Sequence, residues 1–149
     1  MSLLLAASAC GQGNGLLGGG RCTLIGCNSQ VTFEVTGAGL HGKAGTVRLK
    51  ACFDDVCHTS RTTVKANGAS FGKGSDKLSV GPVDDRLAGH LLLPDGDYDE
   101  TTVHRFTLEV RIGDGEPVRL ERDVQLTRSA PNGEDCGPIC WQAKVEKAA

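Results

Sequence analysis

The chain has 149 residues and a formal net charge of −2, and it contains no block of basic residues, which argues against nucleic acid as a partner. Apart from the apolar N-terminus, no run of apolar residues approaches the roughly 18 that a transmembrane helix needs. Glycine is abundant at 21 residues, whereas Phe, Tyr and Trp together make up only 4%, so we expect a turn-rich fold whose core is mostly Val, Leu and Ala.

The N-terminus consists of apolar and small residues from Leu3 to Cys10. It has the apolar region and the small-residue cleavage site of a secretory signal, but it lacks the basic region that normally comes first. The segment Ala7-Ser8-Ala9-Cys10 resembles the lipobox of bacterial lipoproteins, in which the cysteine thiol is diacylated and the chain is cut just before it. The resemblance implies that residues 1–9 are a truncated signal peptide and that Cys10 is the lipidation site. We therefore expect the true start of translation to lie upstream of Met1.

Residues 10–20 are predicted to be the lipidated cysteine followed by a flexible tether. The prediction of a tether rests on the glycine-rich run from Gly11 to Gly20, which contains no acid, base or proline. Residues 21–149 are then a single β-sandwich domain, long enough to bury its own core. The lipoprotein resemblance implies a protein on the extracytoplasmic face of the cell membrane, with the membrane as its partner through the lipid anchor. The alternative is a cytosolic protein with a disordered N-terminus and free thiols.

The cysteine count supports lipidation of Cys10. There are seven cysteines, and an odd number requires an explanation in an exported protein. If Cys10 carries the lipid, six cysteines remain and all of them can form disulfides. Sequence alone does not determine the connectivity. The spacing groups the six into three close pairs and favours bridges within each pair: Cys22 with Cys27, Cys52 with Cys57, and Cys136 with Cys140.

A specific geometric argument applies to the Cys52 and Cys57 pair. If Asp54 and Asp55 form a two-residue turn, Phe53 and Val56 close the hairpin as a hydrogen-bonded pair. Cys52 then faces Cys57 at the next, non-hydrogen-bonded position. Their Cα atoms would be about 4.5 Å apart, which a disulfide accepts.

Zinc binding and thiol redox chemistry fit the cysteine spacing poorly. Zinc sites use C-x2-C pairs with further Cys or His at matching spacing, whereas the gaps here are four, four and three residues and the histidines are scattered. The segment Cys136-Gly137-Pro138-Ile139-Cys140 has C-x3-C spacing and no surrounding βαβ unit, unlike thioredoxin. The sequence therefore predicts structural disulfides, no metal and no cofactor.

Alternation of apolar and polar residues predicts the strands in the first half of the domain. Residues 30–36 and 46–51 alternate cleanly, and residues 77–80 form a short strand. Residues 56–64 are rich in β-branched and polar residues, which predicts a strand with a weak core face at the edge of a sheet. Residues 86–93 fit either a strand or a helical turn.

The second half contains the clearest hairpin. Residues 104–112 and 116–127 both alternate and are joined by a turn at Gly113-Asp114-Gly115. Arg122 interrupts the inner face of the second strand, which predicts a bulge or a side chain that reaches the rim. Residues 141–146 form the last strand. Two close cysteines precede the first strand, and two close cysteines precede the last strand. This similarity suggests that the two strands begin in equivalent ways.

Seven or eight short strands with regular turn signals and no helical pattern predict an all-β fold, an antiparallel β-sandwich that is Ig-like in architecture. The immunoglobulin spacing of two distant cysteines around a tryptophan is absent, because Trp141 follows every cysteine. In overall pattern the chain resembles small secreted or lipid-anchored β-sandwich proteins of high-GC Gram-positive bacteria, in which C-x4-C hairpins and a cysteine-rich final strand are common. That resemblance implies no particular activity.

No motif in the sequence identifies a catalytic residue, since neither a G-x-S-x-G element nor a phosphate-binding glycine loop is present. Residues 95–100 carry four carboxylates, but without the spacing of an EF-hand they predict a solvated acidic turn. The positive charge in 59–65 and 119–122 is interpreted as solvated strand faces.

We expect a binding or structural role with a protein or small-molecule ligand. The alternative is an enzyme whose site is assembled only in space.

Overall fold

The computed structural model describes Cys22 and residues 24–37, 45–65, 70–73, 75–83 and 85–148. Cys10 and the segment expected to be signal peptide and tether lie outside these residues. The described chain is all-β, which confirms that part of the expected fold class, and its ten strands exceed the seven or eight expected. The strands are β1 (Gln30–Thr36), β2 (Gly45–Phe53), β3 (Val56–Val64), β4 (Ser70–Lys73), β5 (Leu78–Val83), β6 (Arg86–Leu92), β7 (Val103–Ile112), β8 (Val118–Gln125), β9 (Thr127–Ser129) and β10 (Cys140–Ala148).

The strands form two five-stranded sheets. Sheet I has the order β5-β6-β1-β10-β9, and sheet II has the order β4-β3-β2-β7-β8. Every neighbouring pair is antiparallel except β1 and β10, which run parallel with Gln30 opposite Gln142. The first and last strands of the domain therefore lie side by side in the middle of sheet I.

The sheets pack face to face over one apolar core. Alternation in β1 buries Val31, Phe33 and Val35 completely. The ring of Phe33 stacks on that of Phe106 in sheet II, with centroids 6.1 Å apart, so aromatic packing joins the two layers. The core draws on strands of both sheets, which is the arrangement of a β-sandwich.

The β2–β3 hairpin has the geometry expected from the sequence. Phe53 pairs with Val56, and Cys52 pairs with Cys57 across the ladder. Cys52 and Cys57 form a disulfide with their Cα atoms 4.0 Å apart. Asp54 has a φ of 50°, the positive value that the first turn residue of a two-residue hairpin adopts.

The two other predicted disulfides are wrong. The structure links Cys22 to Cys136 and Cys27 to Cys140, with Cα–Cα distances of 5.6 and 6.0 Å. The reason is the parallel pairing of β1 with β10, because the segment that leads into each strand then runs beside the other. Each cysteine faces the neighbouring segment instead of its neighbour in sequence. The segments that lead into β1 and β10 are the two cysteine-containing stretches whose similarity is visible in the sequence.

Asn132 joins the same two segments through hydrogen bonds. Its Oδ1 accepts the N–H of Ile25 at 2.9 Å, and its Nδ2 donates to the carbonyl oxygens of Ile25 and Gly137, both at 2.8 Å. The side chain is buried, and these three bonds satisfy it. The disulfides and Asn132 together fix the start of the domain against its C-terminal segment.

Two smaller expectations are also resolved. β3 is not an edge strand, because β4 pairs with it on its outer side. No bulge is present at Arg122, since the β7–β8 register continues through Phe106 opposite Arg122. Arg122 is exposed, and its guanidinium donates to the carbonyl of Glu121. The segment 86–93 is a strand over most of its length.

Candidate functional site

Three arginines stand in one cross-strand row on the outer face of sheet II. The β2–β3 register places Arg48 opposite Arg61, and the β2–β7 register places Arg48 opposite Arg111. All three are exposed. Because neighbouring strands lie about 4.8 Å apart, the row crosses three strands within about 10 Å. Lys73 holds the register position opposite Arg61 on β4, which extends the pattern to a fourth strand. Arg48, Arg61 and Arg111 are called the basic row below.

The basic row lines a groove of about 610 Å³. Lys50 adds a fourth positive charge, and Thr59, Ser75 and Glu109 supply other polar groups. The Ser75 Oγ accepts the backbone N–H groups of Lys77 and Leu78, both at 3.1 Å, which leaves its hydroxyl hydrogen to donate. The groove therefore combines several cations with neutral hydroxyls and one carboxylate.

Other arginines on the same face of sheet II are ion-paired. Arg105 contacts Glu121 and donates from Nε to Asp123 at 2.8 Å. The hydrogen bond to Asp123 and the charges of both acids raise the pKa of Arg105. Arg119 donates from Nε to Glu109 at 3.0 Å. Arg105 and Arg119 are thus both balanced by carboxylates on the neighbouring strand.

The basic row lacks such partners. Within the part of the chain that the structure describes, Arg48, Arg61 and Arg111 form no salt bridge and no side-chain hydrogen bond. Like charges directly opposite each other across a sheet are destabilising. An anion placed over the row would remove this repulsion and satisfy the guanidinium donors. The arrangement is therefore suited to binding negatively charged groups.

A second polar cluster joins the tip of the β2–β3 hairpin to the start of β7. The Asp54 carboxylate accepts the Arg105 backbone N–H at 2.8 Å and contacts His104 Nδ1 at 2.8 Å. The Asp54 N–H donates in turn to the Arg105 carbonyl at 2.8 Å. The His104 ring stacks on Phe53 with centroids 4.6 Å apart, and Tyr98 meets it edge-on at 5.8 Å.

This environment changes the acidity of two groups. Burial alone would raise the pKa of Asp54, but the hydrogen bonds from His104 and Arg105 outweigh it and lower that pKa. Burial, with the nearby charges of Asp54 and Asp95, raises the pKa of Tyr98. The Tyr98 hydroxyl donates to the Pro94 carbonyl at 2.5 Å.

The Asp54–His104 pair has the chemistry of a base and its orienting acid, as in serine hydrolases. A base must present its second ring nitrogen to a substrate. The Nε2 of His104 is instead buried without a hydrogen-bond partner among the described residues, and the side chain is only 12% exposed. We interpret the pair as a structural contact that holds the hairpin tip against β7.

The acidic turn at residues 95–100 has a structural role through Asp99. Its carboxylate accepts the backbone N–H and the hydroxyl of both Thr101 and Thr102, at 2.6 to 2.7 Å. These hydrogen bonds lower the pKa of Asp99. Across the described ranges, no group of three or more His, Cys, Asp or Glu side chains is arranged to hold a metal ion.

The sequence predicts some of the site residues and misses others. The six domain cysteines form three disulfides, and none of them lines the groove with the basic row. The prediction that the positive charge in residues 59–65 forms an ordinary solvated face overlooks Arg61 as a member of the basic row. A signal for part of it is present: a two-residue turn at Asp54 and Asp55 places Arg48 opposite Arg61. The third member, Arg111, depends on a long-range pairing that no local pattern reveals.

Comparison with known proteins finds no matching family model, no matching curated protein and no matching solved structure. Over the described ranges, the protein also has no helix of sufficient length and apolar character to cross a membrane.

Proposed function

We propose that the protein is a lipid-anchored, extracytoplasmic binding protein that binds an anionic ligand at the basic row. One observation carries the binding proposal: three arginines stand opposite one another with no carboxylate partner among the described residues, on a sheet face whose other described arginines are paired. Guanidinium groups bind carboxylate, sulfate and phosphate groups through two parallel hydrogen bonds. The groove volume falls in the range of roughly 300–1,000 Å³ that is common for ligand sites.

The cellular location is a proposal supported by the cysteines. Six cysteines are used in disulfides, so Cys10 is the one left for a lipid. Disulfides persist mainly in oxidising compartments outside the cytoplasm. In this proposal the lipid on Cys10 holds the protein at the membrane, residues 11–20 act as the tether, and the sandwich binds its ligand outside the cell membrane.

We also propose that the sandwich is Ig-like in architecture. The support is two facing sheets with mostly antiparallel neighbours and one shared core. An experimental structure with the same strand order in both sheets would support this proposal, and a closed barrel would contradict it.

The binding proposal can be tested by NMR titration of the ¹⁵N-labelled full chain with short oligoanions: oligogalacturonate, inorganic polyphosphate and oligoglutamate. We expect at least one of them to shift the amide signals around the basic row. Arg111→Gln should weaken its binding about tenfold, because a charge-assisted bidentate contact is lost. Arg105→Gln is the matched control, since it removes the same charge from the same strand and face.

Two results would contradict the binding proposal. One is that the largest shifts occur away from the basic row for every oligoanion. The other is that Arg105→Gln weakens binding as much as Arg111→Gln, which would indicate a diffuse charge effect and not a site.

The anchor proposal is tested by the intact mass of the protein isolated from its native host, with and without reduction and alkylation. We expect a mass gain from acyl chains on Cys10 and no alkylation before reduction. Six alkylated thiols in the unreduced protein would exclude export to an oxidising compartment, and an unmodified Cys10 would exclude the anchor.

A further inference from the structure

We propose that the anionic ligand is an acidic polysaccharide that lies as an extended chain across the strands of sheet II. This inference rests on the proposed anion-binding function and specifies the class of ligand. Three features support it: the linear arrangement of the cations, the sheet edge beside the basic row, and the hydrogen-bonding groups next to it.

The linear arrangement favours a chain over a compact anion. Side chains on a sheet face stand roughly perpendicular to the sheet and parallel to one another. Arg48, Arg61 and Arg111 therefore do not converge on one point, as donors around a single phosphate would. Each of them is placed to meet a separate anionic group, about 4.8 Å from the next.

The basic row runs from β3, which lies beside the edge strand β4, across β2 to β7. On the β8 side the ladder ends with Val110 opposite Val118, and the turn that joins β7 to β8 lies next to Arg111. A long ligand can cross the row and continue past the β4 edge of the described sheet.

The groups beside the row fit sugar hydroxyls. Thr59 offers a hydroxyl that can donate and accept, and Ser75 offers a hydroxyl hydrogen that can donate. Glu109 offers a carboxylate that can only accept. The Glu109 Oε2 is bonded to Arg119, and its other oxygen is available to a donor. A polyphosphate chain has no donors to offer this carboxylate and is repelled by it. A polysaccharide can present anionic groups to the arginines and hydroxyls to these three residues.

Nucleic acid fits the groove less well than a sugar chain. Proteins that bind single strands stack the bases on aromatic side chains. The residues that line the groove in the described part of the chain include no Phe, Tyr or Trp. The phosphates would find the arginines, but the bases would find no stacking surface.

The test is isothermal titration calorimetry of the full chain with four probes: oligogalacturonate of a dozen units, its methyl-esterified neutral form, inorganic polyphosphate of equal charge, and oligothymidylate. We expect oligogalacturonate to bind about tenfold tighter than the other three. Shorter oligogalacturonates should bind progressively more weakly once they no longer reach across the row.

Thr59→Val adds a sharper test, because valine keeps the β-branched shape and removes only the hydroxyl. We expect the variant to weaken oligogalacturonate binding about fivefold and to leave polyphosphate binding unchanged. Thr63→Val is the matched control, since Thr63 is an exposed threonine of the same strand that does not line the groove.

The outcomes separate the two proposals. If polyphosphate or oligothymidylate binds as tightly as oligogalacturonate while Arg111→Gln still weakens binding, the row is an anion site and the polysaccharide inference is overturned. If Thr59→Val weakens binding of all anions equally, the inference is overturned as well. If no anionic probe binds, both proposals fail.

Discussion

Asp54 combines the roles of a turn residue and a link between strands. Its positive φ of 50° is a conformation that Asp and Asn tolerate better than most residues with a Cβ atom. Its carboxylate also holds the hairpin tip to β7 through His104 and the Arg105 backbone. Both properties depend on this one side chain, whereas Asp55 next to it is exposed and makes neither contact.

We therefore expect Asp54→Ala to lower the free energy of unfolding by about 2 kcal/mol, from backbone strain and lost hydrogen bonds. Asp54→Asn should cost about half as much, because Asn tolerates the same φ and keeps an acceptor. Urea unfolding monitored by near-UV circular dichroism measures the difference. Asp55→Ala is the control and should be nearly neutral. Equal losses at the two positions would show that the hairpin-tip contacts contribute no stability.

Asp54 and Asp99 predict the acid sensitivity of the fold. Hydrogen bonds lower the pKa of both carboxyl groups below the ordinary value of 3.8. A lowered pKa in the folded state contributes stability that is fully present above pH 3.8 and is lost as the pH falls further towards the lowered values. Urea midpoints measured downward from neutral pH should therefore fall steeply below pH 3.8. The Asp54→Asn/Asp99→Asn variant should show a shallower fall. An unchanged slope would assign the acid sensitivity to other groups.

At the scale of strands, Gly89 in β6 is required by close packing. A Cβ atom at this position would lie 2.3 Å from the Ser79 carbonyl oxygen in β5 and 2.7 Å from Cζ of Phe33 in β1. Phe33 is fully buried and packs against sheet II, so it has no space to move. The glycine thus allows β6 to lie flat between its two neighbours.

Gly89→Ala should therefore destabilise the protein by about 3 kcal/mol, at the upper end of the range for overpacked cores. Gly81→Ala is the matched control on β5, because a Cβ atom at that position would have no other atom within 4 Å. Thermal unfolding of both variants measures the effect. A change of less than about 0.5 kcal/mol for Gly89→Ala would mean that β6 can shift without loss.

The basic row should be a source of instability in the free protein. Arg48→Thr removes the central charge, replaces it with a good strand former, and should raise the free energy of unfolding by about 0.5 kcal/mol at low ionic strength. The gain should shrink at high salt, because screening already weakens the repulsion. Arg105→Thr should not stabilise, since it loses two carboxylate partners. Destabilisation by Arg48→Thr would indicate that the arginine stems contribute packing instead.

The strands show what the sequence could predict. The Cys52–Cys57 bridge follows from a local turn, because a two-residue loop determines the register of both flanking strands. The Cys22–Cys136 and Cys27–Cys140 bridges depend on the parallel pairing of β1 with β10, which joins segments more than a hundred residues apart. Arg111 joins the basic row for the same kind of reason. Alternation predicted which face each of these strands buries, but it contains no information about which strand lies beside it.

At the scale of the whole molecule, the two long-range disulfides are partly redundant. They close loops with sequence separations of 114 and 113 residues, so either bond alone constrains almost the same unfolded chain. While one remains, the other closes only the short ring formed by residues 22–27 and 136–140. The stabilisation that each bond contributes therefore depends on whether its partner is intact.

We expect Cys27→Ala/Cys140→Ala to lower the free energy of unfolding by about 2–3 kcal/mol, the value for closing a short ring. Removing both long-range bonds should lower it by about 7 kcal/mol, because closure of the long loop, about 4–5 kcal/mol, is then lost as well. A double-mutant cycle on urea unfolding measures this non-additivity. Purely additive losses would indicate that the two bonds act through separate native contacts.

The same pair of bonds determines how the molecule carries mechanical tension. A pull applied between the N-terminal side and the C-terminus enters at Cys22, crosses to Cys136 through the disulfide and runs along β10 to Ala148. The polypeptide between those two cysteines lies outside this covalent route. The groove and the basic row belong to that part of the chain, so they are outside the route as well. In the oxidised protein the tension is therefore carried by β10, and the other described strands lie outside the covalent route. In a reduced molecule the same pull would shear β1 along β10, since parallel strands would be drawn in opposite directions.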